Sequence, residues 1–61
     1  MKLKQYPTKI EIYDEPDEIV SIVEMFDESS ASVEIKTVVN VEMWDEISAE
    51  IREALVKMEL K

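Results

Sequence analysis

Trp44, Ile47, Ile51, Leu55 and Met58 recur along the C-terminal third of this chain at steps of 3, 4, 4 and 3 residues. That spacing keeps returning to one side of a 3.6-residue turn, and it predicts an amphipathic helix over 41–59. Asn40 stands where an N-cap side chain accepts a bond from a free backbone N–H, and Glu42, Asp45 and Glu46 lie toward the end where the helix dipole favours anions. Arg52, Lys57 and Lys61 lie toward the other end, where cations are favoured, and Glu53 and Lys57 form a well-oriented i,i+4 pair.

Upstream the period changes from helical to alternating. In 32–39, Val33, Ile35, Thr37 and Val39 alternate with Glu34, Lys36 and Val38, a pattern rich in β-branched residues that predicts a strand. In 8–13, Ile10 and Ile12 stand opposite Lys9, Glu11 and Tyr13, and Pro16 in Glu15-Pro16-Asp17-Glu18 suits the second position of a type I turn. The stretch 17–28 fits two readings. As a helix it gathers Ile19, Ile22, Val23 and Phe26 on one face, with Pro16 near the first helical position. As a strand over 18–27 it pairs with 32–39. Two features favour the strand: Ile and Val lose side-chain freedom in helices, and Asp27 and Glu28 would oppose the negative end of the dipole. The expected fold class is therefore α+β, a small three-stranded antiparallel sheet packed on one C-terminal amphipathic helix (βββα), with βαβα as the alternative. All 61 residues form a single domain in this reading, with strands over 8–13, 18–27 and 32–39.

One helix covers one face of such a sheet, and the middle strand is apolar on both sides: Val20, Ile22 and Phe26 alternate with Ile19, Val23 and Met25. Whichever set faces away from the helix forms an apolar patch near Tyr13 and Val38. A patch of that kind predicts a contact surface, and a homodimer through the uncovered sheet face is one expectation.

Several functions are disfavoured by composition. A 61-residue chain buries only about 60% of its unfolded surface, and without Cys it has no disulfide to reinforce it. His and Cys are both absent, so the usual general base, thiol nucleophile and zinc ligands are missing, and the serines have no imidazole to activate them. No catalytic residue is expected, and the chain is read as a non-enzyme. The absence of Gly removes the phosphate-cradling loops and the sharp turn of an EF-hand, so Asp14, Glu15, Asp17 and Glu18 read as a solvated turn and no metal or cofactor is expected. No apolar run approaches the roughly 18 residues that span a bilayer, and the start carries no signal-peptide pattern, so a cytoplasmic location away from membranes is expected.

The charge is the remaining signal. Fifteen acidic and seven basic side chains leave a net charge of -8. Residues 10–35 carry nine acids and no base, and 37–51 add Glu42, Asp45, Glu46 and Glu50, again without a base. Direct nucleic-acid binding is disfavoured, because it draws on Lys and Arg, of which this chain offers few. On the helix, Glu42, Glu46, Glu50 and Glu53 fall within roughly 80°, nearly opposite the apolar stripe. Like charges four residues apart are mildly destabilising, so the stripe has a cost. One reading makes it a solvated face. The sharper one makes it, with the acidic turn, a mimic of nucleic-acid charge that docks on the basic surface of a partner protein. In size, charge and lack of catalytic equipment the chain resembles the small acidic inhibitors of phages and mobile elements, such as anti-CRISPR proteins. The resemblance is one of general character and assigns no residue a role. The alternative function is a small homodimeric structural or assembly protein whose acids only confer solubility.

Overall fold

The alternation of Ile10 and Ile12 with Lys9, Glu11 and Tyr13 becomes a strand in the computed structural model, which describes residues 1–58. It is the second of four. The element order is β1 (Lys2–Gln5), β2 (Lys9–Asp14), β3 (Glu18–Asp27), β4 (Ser30–Ile35) and α1 (Val41–Lys57). The strands form one antiparallel meander in the order β1-β2-β3-β4, so each bonds with its neighbour in the chain. The α+β class and the C-terminal helix agree with the sequence. The three-stranded βββα order is corrected to four strands, and the βαβα alternative is ruled out because 18–27 is paired on both sides.

The extra strand, β1, carries a single apolar residue on the core face, Leu3, set opposite Ile12. It earns its place through that long-range partner rather than through its own pattern. The last strand runs over Ser30–Ile35, earlier than the predicted 32–39. It starts early because Asp27 pairs with Ser30 across a tight turn, and the chain then leaves the sheet so that Val39 can pack against the core. Asp27 closes that turn by accepting bonds from the Ser29 amide at 2.9 Å and the Ser30 hydroxyl at 2.8 Å. The Glu15–Pro16 peptide bond is cis, in place of the type I turn expected there.

Asn40 caps the helix as predicted, its side-chain oxygen accepting the Met43 amide at 2.8 Å. The helix is described to Lys57, and the predicted end at 59 and Lys61 lie outside the described residues. Glu53 and Lys57 do not come within ion-pair distance. The ion pairs among the described residues are Lys2–Asp17, Lys9–Glu11 and Glu34–Lys36, all away from the helix.

The core lies between the helix and the two middle strands: Ile10, Ile12, Val20, Val23, Ile47 and Ala54 are all buried, with Leu3, Met43, Ile51, Leu55 and Met58 packed around them. A bulge shapes it. Ile12 pairs with Ser21 and Tyr13 with Ile19, leaving Val20 unopposed, so Val20 and Ser21 are buried in succession. The buried Ser21 hydroxyl donates to the Glu34 carbonyl at 2.9 Å, which meets its hydrogen-bonding need. A second bulge leaves Phe26 unopposed and 80% exposed.

The bulge at Val20 changes which residues form the apolar group on the uncovered face, where Ile19 and Ile22 now stand with Tyr13. Cross-strand partners share a face, and the face opposite Ile10, Ile12 and Val23 carries Lys4, Glu11, Ile22 and Glu34 in one row. The next row is Lys9, Glu24 and Ser32. Val20 has turned into the core, and Ile19 and Ile22 remain half-buried among charged neighbours.

Candidate functional site

The acidic side chains singled out in the sequence are set by two elements, the β2–β3 turn and the helix. Asp14 ends β2 and accepts the Glu15 amide at 2.9 Å, which holds the turn's first carboxylate against its own backbone. Glu15 is exposed beside it, and Asp17 reaches Lys2 at 3.9 Å with both side chains largely in water. An ion pair that exposed contributes little. Glu18 opens β3 and is also exposed. On the helix, Glu42, Glu46 and Glu53 are exposed and Glu50 is half-buried.

The structure brings the two groups to one side of the molecule through a residue that sequence reasoning passed over. Met1 borders a hollow formed with Lys2, Tyr13, Asp14, Glu15 and Pro16. The same residue borders a second hollow formed with Asp45, Glu46, Ala49 and Glu50. The turn carboxylates and the central helix carboxylates therefore flank the N-terminus from either side. Glu42 and Glu53 extend the helix flank but line neither hollow, and Asp17 and Glu18 line neither. Asp45 joins the set. Its signal in the sequence was its place beside Glu46, read there only as a favourable charge near the helix start.

Near this acidic side, the uncovered sheet face holds a small basic and aromatic group. Lys4 and Lys9 stand over the Tyr6 ring, with their ammonium nitrogens 5.7 and 5.1 Å from its centre. The Tyr13 hydroxyl donates to Glu11 Oε1 at 2.8 Å, and Lys9 approaches Oε2 at 3.4 Å. The Tyr13 hydroxyl, helped by Lys9, holds the Glu11 carboxyl below the usual carboxylate range, and in turn the Tyr13 phenol is raised. These contacts engage Lys4 and Lys9 on the sheet face, so the cations nearest the acidic side are Lys2, the Met1 α-ammonium and Lys57 on the same flank of the helix.

Among the described residues no three carboxylates converge closely enough to hold a metal ion, and no helix is long and apolar enough to cross a membrane. No protein-family model, curated protein or solved structure matches the chain.

Proposed function

We propose that this chain is a non-enzymatic protein-binding module, acting in the cytoplasm as an inhibitor that presents nucleic-acid-like charge to a basic surface of a partner protein. The observation that carries the reading is the position of Met1 between Asp14 and Glu15 on one side and Asp45, Glu46 and Glu50 on the other. Two acidic segments far apart in sequence thereby act as one surface. Complementary charge of this kind speeds encounter and selects the class of partner more than it sets affinity. Glu42, Glu46 and Glu50 are spaced about 6 Å apart along the helix, against about 3.4 Å per phosphate on one DNA strand, so the match covers part of a phosphate track. A groove that otherwise holds nucleic acid fits the charge; the binding residues are Asp14, Glu15, Asp17 and Glu18 with Glu42, Glu46, Glu50 and Glu53. Inhibition of a nuclease or polymerase, as by phage and mobile-element proteins, would follow from occupying such a groove.

The test is a tagged pull-down from bacterial lysate at low salt and at about 0.5 M salt, where charges are screened within a few ångströms. Capture of a DNA- or RNA-handling protein, lost at high salt, on added competing nucleic acid, and in the Glu46→Lys, Glu50→Lys double variant, is the expected result. Capture that survives the double charge reversal would show that the helix flank is not the contact.

A further inference from the structure

We infer that β4 is a self-pairing edge, through which two copies of this chain join their sheets about a two-fold axis at Val33. The inference is independent of the acidic surface, which lies on the other side of the molecule. It rests on which backbone groups β4 leaves free, on where its apolar side chains sit, and on where the charges are thinnest.

The Glu34 carbonyl accepts the Ser21 hydroxyl and the Lys36 amide donates to the Val20 carbonyl, so the backbone groups of these even-numbered residues turn toward β3. Antiparallel strands alternate, and the N–H and C=O groups of Ala31, Val33 and Ile35 therefore turn outward to a free edge. Those same three residues pair with Met25, Val23 and Ser21, which places their side chains on the helix side of the sheet. Val33 is nevertheless 45% exposed and Ile35 39%. Glu46 and Glu50 border Met1, on the β1 side, so the flank of the helix bearing Trp44, Ile51 and Leu55 is the one nearer β4. Trp44 is itself 49% exposed. An apolar strip thus runs along a strand edge whose outward backbone groups find no partner among the described residues.

A second copy fits this edge in the register centred on Val33 better than in the two that follow it along the strand. With Val33 opposite Val33 of the partner subunit, Ala31 of each chain faces Ile35 of the other, and all three outward residues exchange backbone bonds. The helix side then holds an unbroken apolar row, and on the opposite side each Glu34 faces a Ser32. Moving the axis to Glu34 would set two glutamates about 4.5 Å apart in a non-hydrogen-bonded pair. Moving it to Ile35 would leave the first half of the strand unpaired. The axis stands normal to the sheet, so both helices remain on one face of an eight-stranded sheet.

Charge permits a second copy at this edge, although each carries -8. Between Ser30 and Lys36 the only acid is Glu34, and it is ion-paired with Lys36. The carboxylates of the acidic hollows lie on β2, on the turn after it and on the helix flank toward β1, with Asp14 two strand spacings or about 10 Å away. The β1 edge is unlike this one, since it carries exposed Lys2 and Lys4, the means by which natural sheets discourage pairing.

Sedimentation equilibrium of the intact chain between about 1 μM and 1 mM tests the pairing. A reversible monomer–dimer equilibrium is expected. Val33→Lys is accommodated in the half-exposed site and should leave the circular dichroism unchanged, while weakening dimerisation about 100-fold or more by facing two cations across the axis. Because the chain has no Cys, oxidised Val33→Cys should give a covalent dimer with native circular dichroism, and Lys4→Cys on β1 should not. The Glu46→Lys, Glu50→Lys variant should dimerise as the parent does, which separates this interface from the acidic one. A chain that stays monomeric throughout, a dimer indifferent to Val33→Lys, or equal cross-linking from the β1 position would overturn the inference.

Discussion

Val23 and Val33 are direct cross-strand partners on the same face of the sheet, yet Val23 is fully buried and Val33 is 45% exposed. One row along, the contrast inverts the usual preference: Ser21 is fully buried while its partner Ile35 is 39% exposed. Side-chain chemistry does not decide these fates. The helix does, by where it stands. A helix with its side chains is about 10–12 Å across, whereas four strands at about 4.8 Å spacing make a wider sheet. This helix sits over β2 and β3, so those strands are sealed and β4 is left at the margin. Burial here measures distance from the helix axis more than hydrophobicity.

The contrast can be broken most severely at its centre. Ile47 is fully buried at the middle of the helix. Ile47→Ala should cost about 2–5 kcal/mol, as large-to-small core changes do, which approaches the whole stability of a domain this small. Denaturant titration followed by circular dichroism would show it unfolded or nearly so, and Val33→Ala measured beside it at low concentration should lose under about 1 kcal/mol. Equal losses would dissolve the distinction between centre and margin. A smaller effect is expected at Ser21, whose hydroxyl ties the sealed strand to the marginal one. Ser21→Ala should lose about 1 kcal/mol in the same titration, since it removes one buried hydrogen bond. No loss would mean that the bond to Glu34 adds nothing to the join.

The smallest effect lies at the exposed end of the β3–β4 pair and depends on pH. The Ser29 amide and Ser30 hydroxyl hold the Asp27 carboxyl below its ordinary value in the folded chain. A carboxyl depressed in this way stabilises the fold above the ordinary carboxylate range and loses that contribution as pH falls through its lowered folded value. Glu11, depressed by the Tyr13 hydroxyl, has the same sign. The decline in melting temperature between neutral pH and about pH 2 should therefore be shallower in Asp27→Asn than in the parent. Parallel curves would remove Asp27 as a pH-dependent tie for the turn.

Much of this fold was legible because strong periodicity is local. The helix showed in the spacing of Trp44 through Met58, its cap in Asn40, and β3 in its density of Ile and Val. Lys2–Gln5 was not legible as a strand, since its one apolar inward residue, Leu3, acquires meaning only opposite Ile12. The bulges at Val20 and Phe26 were also hidden. An unopposed residue is defined by two strands together, and no single-strand pattern announces it. That omission misgrouped the side chains of β3, because strict alternation placed Val20 and Val23 on opposite faces while the bulge buries both. The acidic residues were legible as two groups, by helical spacing and by adjacency in the turn. Their approach to one another was not, because it depends on Met1 and on the strand that was missed.

The bulge at Val20 bears on how such a chain can change by insertion and deletion. Losing the codon at 20 would remove one buried side chain, yet Ile19 and Ser21 would keep their partners Tyr13 and Ile12, and every other side chain of β3 its face. Losing the codon at 22 would exchange faces for everything on one side of the cut, sending charge toward the core. The strand therefore holds its slack at one position. A deletion there costs a buried side chain and the bond from the Lys36 amide, but it keeps the acidic turn and the β4 edge in register with each other.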